Sequence, residues 1–330
     1  MLLAGDIGGT KVDLGVFSPQ EGPRAPIAEA TFASTSYPDA ETLIREFLDE
    51  IEIQVDRVCL GVPGPIIDGG ANITNLPWAI DQRELMKSLN VSSVHLLNDL
   101  EAMGYGLLLL EQDDLLTLQT GQPVQHGTIA VIAPGTGLGE AFLSWNGSQY
   151  VAHASEGGHT DFGPNNPLQL DLLRYLQNRY SHVSYERVCA GQGFPNIYSF
   201  LRDSGRASEP DWLAQEIAEV DDPAPIIVRH ALDEEASCGL CAATLELLVS
   251  ILGAEAGNLA LKVLSDGGVF LGGGVPPHIL PSLKGEGFLQ AFCQKGRLSY
   301  VLERMPVHVI LSPKVVLLGA ARFGLDIEPS

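Results

Sequence analysis

Two short stretches hold residues able to grip a phosphate. Asp6-Ile7-Gly8-Gly9-Thr10 follows an apolar strand at the start of the chain, and Gly135-Thr136-Gly137-Leu138-Gly139 follows a second one near its middle. Glycine lacks a Cβ, so its backbone amide can come close to an anion. Successive amides in a turn make an anion-binding concavity, and Thr10 and Thr136 add hydroxyl donors. Asp6 brings a carboxylate to the same place. Beside a triphosphate that is tolerable only with a cation such as Mg²⁺ between them. The rival reading, that the glycines only make tight hairpins, suits either turn alone; two strand-flanked turns favour a nucleotide. Other nucleotide motifs are missing. No G-x-x-x-x-G-K-[ST] occurs, and the second turn reads G-x-G-x-G rather than G-x-G-x-x-G. It runs into Glu140 to Trp145, which reads as a strand where a dinucleotide fold needs a helix. The H-R-D and D-F-G signatures of protein kinases are absent too.

Further carboxylates and an imidazole stand at positions that suggest work. A strand over Val94–Leu97 delivers Asn98-Asp99, which puts the Asp99 carboxylate on a rigid support. That position suits a general base and equally suits a cap on a following helix over Leu100–Leu110. Glu156, His159 and Asp161 form E-x-x-H-x-D, a possible metal set, though no further ligand cluster accompanies it. Lys11 either touches a phosphate or is solvated at its turn. Cys238 and Cys241 form a C-x-x-C without a second pair, which reads as two residues packed on a helix rather than a zinc site.

The elements that must position these groups alternate. Strands are expected over Leu2–Ala4, Val12–Phe17, Ala28–Ala33, Arg57–Val62 and Val94–Leu97. Helices are expected over Asp39–Glu52, with Leu43, Phe47 and Ile51 on one face, and over Asp81–Leu89. Pro63-Gly64-Pro65 breaks the chain, and Asn72–Trp78 reads as a loop. Past Leu110 the pattern restarts, with strands over Thr128–Ala133 and Glu140–Trp145. Helices follow over Leu168–Tyr180, Phe194–Arg202, Trp212–Val220 and near Cys238–Leu264. Late strands are expected at Val269–Leu271, which leads into Gly272-Gly273-Gly274, and at Val307–Leu311. A helix over Val316–Phe323 should pack back on the first domain. Alternation of this kind indicates an α/β protein, and 330 residues suggest two domains. The expected division is 1–109 plus 312–330 against 110–311. Strand, glycine turn and strand open each half, a weak internal repeat that would face the two turns across one interdomain cleft.

Composition bounds the partners. Glycine numbers 36 of 330 residues, above the usual roughly 7%, and much of the excess sits in these turns. The net charge is −22, with a pI near 4.6, so nucleic acid and anionic membranes should be repelled. Part of the acidity lies in 203–235, read as a solvated helical face. Five cysteines, an odd number, argue for reduced thiols in the cytoplasm. Asp6 interrupts the apolar start, so a secretory leader is not expected, and neither is a stretch of about 18 apolar residues that could span a membrane.

Taken together the motifs resemble the bacterial glucokinases. The residues that carry the likeness are GDIGGTK (5–11), TNLPW (74–78), LLND (96–99), PGTGLG (134–139), EGGHTDFGP (156–164), YERVCAG (185–191) and FLGGGV (270–275). They run in the family's order over nearly the whole chain. Related sugar kinases and sugar-responsive repressors share DIGGT but usually carry a Cys-rich zinc motif after the Gly-His segment. Here no cysteine follows His159 until Cys189. The resemblance implies the two-domain actin-like ATPase (ribonuclease H-like) fold, and ATP with Mg²⁺ as cofactors. It implies phosphorylation of glucose at O6, with Asp99 as the base. It assigns Asn75, Asn98, Asp99, Glu156, His159 and Glu186 to the sugar. Gly8, Gly9, Thr10, Gly135, Thr136 and Gly137 go to the phosphates, Gly272, Gly273 and Gly274 to the adenosine, and Asp6 to Mg²⁺ through water. Pro134 departs from the small residue usual there and removes one amide. The resemblance also implies a homodimer. Kinases for mannose or an N-acetylated hexosamine, and a non-catalytic sugar-binding regulator, are the alternatives. The regulator is disfavoured by the acidic charge and by a chain that opens directly on its first strand.

Overall fold

The structure, a computed structural model, describes residues 1–73, 76–233 and 238–327. It divides into two compact units, 1–114 with 146–154 and 312–330, and 115–145 with 155–311. The expected division differs from these units at 110–114 and at 146–154.

The first unit carries β1 (Leu2–Ile7), β2 (Lys11–Phe17), β3 (Ala28–Ala33), β4 (Arg57–Val62), the short pair β5 (Gly70–Asn72) and β6 (Ala79–Asp81), and β7 (Ser93–Asn98). Its main sheet runs β3-β2-β1-β4-β7. β1 and β2 form an antiparallel hairpin, and β1, β4 and β7 are parallel. Every residue of β4 is buried, as expected of a parallel strand covered on both faces. One cover is the helix Ala40–Ile51, which presents Leu43, Ile44 and Phe47. Its start is fixed by Asp39, whose side chain accepts from the Thr42 amide at 2.7 Å. On the other side the helices Asp99–Leu107 and Val315–Asp326 cross. They approach so closely that a Cβ on Gly319 would come 1.7 Å from the Ala102 carbonyl, and one on Gly106 1.9 Å from that of Val315. The C-terminal helix therefore packs back on the first unit, as its sequence suggested.

The second unit carries β8 (Leu115–Gln119), β9 (Ile129–Pro134) and β10 (Leu138–Trp145). After β11 (Tyr150–Ser155), most of which groups with the first unit, come β12 (Gly268–Leu271) and β13 (Val307–Ile310). The order β10-β9-β12-β13 repeats β2-β1-β4-β7: one antiparallel hairpin, then two parallel neighbours. This is the internal repeat, now visible as topology. The helix Gly239–Val263 runs through the core of this unit. Its most apolar window reaches a mean hydropathy of 1.6, which meets the length and composition of a membrane span, contrary to the sequence expectation that no such stretch exists. That window is 72% buried inside the unit, so its apolar surface is already covered by protein. The helix expected over Trp212–Val220 is found as Asp211–Ala218, and a second short helix, Ala224–Leu232, follows it in the acidic segment 203–235, of which Glu234 and Glu235 lie outside the described residues.

Candidate active site

In the first unit the parallel register lines up Asp6, Gly61 and Leu97, with Val62 beside Asn98. The carboxyl ends of β1, β4 and β7 thus share one edge, where ligands bind in open α/β sheets. Strands lie about 4.8 Å apart, so Asp6 and the end of β7 are about 10 Å apart along the backbone, within reach of two side chains. Burial first, then the Asp99 carboxylate, then Asp13, push the Asp6 carboxyl up to about 7. Such crowding of negative charge is what a hard cation relieves, and one or two carboxylates suffice for Mg²⁺ when water and phosphate complete its shell. Among the described residues no group of three or more His, Cys, Asp or Glu is arranged to hold a metal by itself. Asp161 turns instead to His182, 2.9 Å away, which removes it from the E-x-x-H-x-D reading. Lys11, whose side chain is half-exposed, reaches Asp13 at 2.8 Å, and Asp13 also accepts from Thr31 Oγ1 at 2.5 Å.

Asp99 does not end the strand. Asn98 does, and Asp99 is the first residue of the helix. The cap is Asn98: its Oδ1 accepts from the Leu100 amide at 3.0 Å, and Glu101 reaches back to the Asn98 amide at 3.3 Å, completing a capping box. Asn98 Nδ2 donates to the Gly64 carbonyl at 3.1 Å, tying the Pro63-Gly64-Pro65 turn to the same edge. Asp99 accepts from the Leu100 amide as well. Helix capping is therefore assured by Asn98, and Asp99 sits in the first turn.

The first glycine turn is pinned. The Gly8 amide donates to the Lys11 carbonyl at 2.9 Å, while buried Ser34 donates through its amide to Thr10 and through its hydroxyl to Gly8. In the second turn the Gly135 amide donates to the Gly137 carbonyl at 2.8 Å. Both leading amides, expected as phosphate donors, are thus spent on closing their own hairpins. The amides of Gly9, Thr10, Thr136 and Gly137 remain; among the described residues they take no backbone acceptor.

In the second unit β9 and β12 are parallel neighbours, which brings the second turn against Gly272–Gly274. The Gly272 amide donates to Ile132 at 2.9 Å. Gly273 has φ +79°, and a Cβ there would lie 2.5 Å from the Pro134 carbonyl, so glycine is required for both conformation and contact. Gly135, Thr136 and Gly274 open onto a cavity of about 560 Å³, within the usual range for small-molecule sites. Phe194, Val228 and Ile279 give it apolar walls; Asp222, Arg229 and His278 add polar groups.

The other side of the second turn carries the remaining candidates. Glu156 precedes the short turn Gly157–His159, and Glu186 opens the short helix Glu186–Cys189. His159 Nε2 stands 4.0 Å from Glu156 Oε2 and 3.9 Å from Glu186 Oε2. Glu156 and His159 are 68% and 60% exposed, and Glu186 only 16%. Glu186 is held by the Leu138 amide, which donates to its Oε2 at 3.2 Å. A Cβ on Gly137 would lie 2.5 Å from that same oxygen, so a larger residue there would displace the Glu186 carboxylate. Two acceptors and an imidazole, accessible from one side, form a cluster able to hold the hydroxyls of a sugar. Asn75 lies outside the described residues.

A glucokinase family model matches residues 3–326. A glucokinase of Trichormus variabilis is 40% identical over 97% of this chain and 98% of its own. One from Escherichia coli is 33% identical over 96% and 95%. The crystal structure of a glucokinase from an Antarctic psychrotroph superposes with a TM-score of 0.82, at 30% identity and 99% coverage of both chains. The chain belongs to the glucokinase family. Its fold is accordingly the actin-like ATPase fold that the motifs implied, also shared with a sugar kinase of the ROK family from Streptomyces griseus at a TM-score of 0.66.

For a glucokinase-family chain, the sequence motifs named the turns well and the cavity poorly. Of its wall, the residues contributed by the helix Ala224–Leu232 carried no motif, and Gly191 was visible only as the end of YERVCAG. Asp13 and Ser34, which shape the first turn, were also missed. Asp13 had one usable signal, a charged residue at a buried strand position; Ser34 had none.

Proposed function

We propose that this chain transfers the γ-phosphoryl group of ATP to O6 of glucose, yielding glucose 6-phosphate and ADP. The observation that carries this reading lies within one unit. A single glycine turn has a nucleoside-sized cavity on one side and the Glu156–His159–Glu186 cluster on the other. A donor and an acceptor placed on either side of one phosphate-binding turn suit group transfer between them. Membership in the glucokinase family supports glucose and ATP as that pair.

Asp99 accepts the proton of the sugar 6-hydroxyl as O6 attacks the γ-phosphorus and the bond to the β–γ bridging oxygen breaks. Glu156, His159, Glu186 and Asn98 orient the other hydroxyls, joined by Asn75. The amides of Gly9, Thr10, Thr136 and Gly137 and the two threonine hydroxyls bind phosphate oxygens. The adenosine lies against Gly272–Gly274. Mg²⁺, held by Asp6 through water, would neutralise charge on the phosphates. Because the transferred phosphoryl is loosely bonded in its transition state, alignment and charge neutralisation supply most of the acceleration, and the base about 10²- to 10⁴-fold. Five unpaired cysteines, four of them buried, suit a reducing cytoplasm, and a homodimer is the expected assembly. A panel of hexoses with ATP and Mg²⁺, read by ADP release, tests the assignment. Glucose should give the highest kcat/KM, and turnover of mannose or an N-acetylated hexosamine above that of glucose would overturn it.

A further inference from the structure

Behind the sugar cluster lie two carboxyl groups that the reaction leaves unused. Glu140, on β10, is 1% exposed, and Glu255, in the core helix Gly239–Val263, is 0% exposed. The two carboxyl groups lie near enough for the charge of Glu255 to act on Glu140. Among the described residues Glu140 Oε1 has no hydrogen-bond partner. Around the pair stand few compensating groups. On the core helix, Lys262 reaches Glu255 at 3.3 Å and Asn258 donates to it at 2.8 Å. Lys295, from the segment after the helix Glu286–Cys293, is turned to Asn258 and the Ala254 carbonyl, although its charge also acts on Glu255. From the Tyr185–Cys189 segment, the Tyr185 hydroxyl accepts at 3.0 Å from Asn258, the side chain that also donates to Glu255, while the Cys189 thiol and the Glu186 carboxylate face the same interior.

The pair touches both segments that carry the sugar cluster. Gly157 rests on Glu140 so closely that a Cβ would lie 1.8 Å from its Oε2, and Gly158 rests on the Leu138 carbonyl of the same strand, at 2.0 Å. Strand β10 is thus the seat of the loop between Glu156 and His159. On the other side, Asn258 joins Glu255 to the hydroxyl of Tyr185, the residue before Glu186, and the Tyr185 amide donates to the Thr160 carbonyl at 3.2 Å. We propose that Glu140 and Glu255 are positioning residues: a proton-sharing carboxyl pair that holds the 156–159 loop and Glu186 at the spacing glucose needs, so that sugar affinity falls when the proton is lost. This rests on the reading of Glu156, His159 and Glu186 as hexose contacts.

The direction follows from charge. Burial first, then Glu255, push the Glu140 carboxyl up to about 7. Below that pH one proton and Lys262 balance the pair. Above it two carboxylates face one ammonium group in a dry interior, and repulsion drives Glu140 against Gly157.

Glucose KM, ATP KM and kcat measured from pH 6 to 9, with calorimetric glucose binding in parallel, test the pair. In the unaltered protein glucose KM and Kd should rise about ten-fold across that range, with ATP KM changing less than about two-fold. Glu140→Gln cannot ionise yet can donate to Glu255. It should keep the low-pH glucose KM and abolish the rise. A Glu140→Gln enzyme with the unaltered pH profile overturns the pair. Should that variant fail to fold, Glu255→Gln carries the same expectation and the same refutation. His159→Ala separates the two readings: glucose binding that survives it overturns the hexose cluster, whereas binding lost in His159→Ala with an unchanged profile in Glu140→Gln overturns the pair alone.

Discussion

Gly273 and Gly274 stand side by side in one turn, and adding one methyl group to each should produce opposite results. At Gly273 the backbone has φ +79°, and the new Cβ would meet the Pro134 carbonyl oxygen at 2.5 Å and its carbon at 2.9 Å. A left-handed conformation costs a non-glycine residue about 1–2 kcal/mol. The clash is with backbone on a neighbouring strand, so no side-chain rotation relieves it, and overpacking of this kind adds about 1–3 kcal/mol. Gly273→Ala should therefore lose about 2–5 kcal/mol, seen as a Tm fall of about 5–15 °C. At Gly274 φ is −77°, and a Cβ meets nothing within 4 Å. Gly274→Ala should keep its Tm within about 1 °C, because a surface change away from such contacts is nearly neutral. Yet Gly274 lines the cavity assigned to the nucleoside. If adenosine lies on that bare backbone, the methyl group fills its place, and ATP KM should rise about ten-fold with glucose KM unchanged. Differential scanning calorimetry and a coupled assay with each substrate varied read both quantities. A Gly274→Ala enzyme with unaltered ATP KM would refute the placement of the nucleoside, and a Gly273→Ala protein with unaltered Tm would refute the strain argument.

Asp99→Asn keeps the shape and removes the base; kcat should fall about 10²- to 10⁴-fold with glucose binding retained in calorimetry, and turnover near the unaltered value would remove Asp99 from the mechanism. Glu186→Gln loses a charge-assisted bond from the Leu138 amide and the attraction of His159; at about 1.5–3 kcal/mol its glucose KM should rise about 10- to 100-fold while ATP KM holds. Asn98→Ala removes the helix cap and the tie to Gly64, so unfolding in urea should show a loss of about 1–2 kcal/mol. Glu140 gives stability a pH dependence of definite sign. Its carboxyl is raised from 4.5 to about 7, so the folded state holds a proton that the unfolded chain has released. The stabilisation is complete below about pH 4.5 and lost as pH rises through 7, a fall of about 3 kcal/mol that urea titrations should show in the unaltered protein and not in Glu140→Gln.

The alternation of strands and helices, the breaker at Pro63-Gly64-Pro65 and the return of the C-terminal helix were all legible along the chain, because period and turn chemistry are local properties. Asp6, Gly8–Thr10, Gly135–Gly137 and Gly272–Gly274 announced themselves through glycine clusters after apolar runs. Asp99 was read as the end of a strand, yet the capping box makes Asn98 the boundary residue; one residue of register is below what periodicity resolves. The helix Ala224–Leu232 was passed over because its apolar face lines a cavity rather than repeating a motif.

The chain's own order of residues determined which segments would be rigid strands, where bare backbone would turn beside an acid, and that the unit would be made twice. Those outcomes depend on neighbours a few positions apart. Packing alone decided that the Glu186 carboxylate would lie against Gly137. It also decided that Lys11 serves Asp13, and that the buried carboxyl of Glu140 lies against Gly157. Each joins groups that meet only after sheet register and helix packing have brought separate strands and helices together, and no local pattern records which partner a buried charge will find.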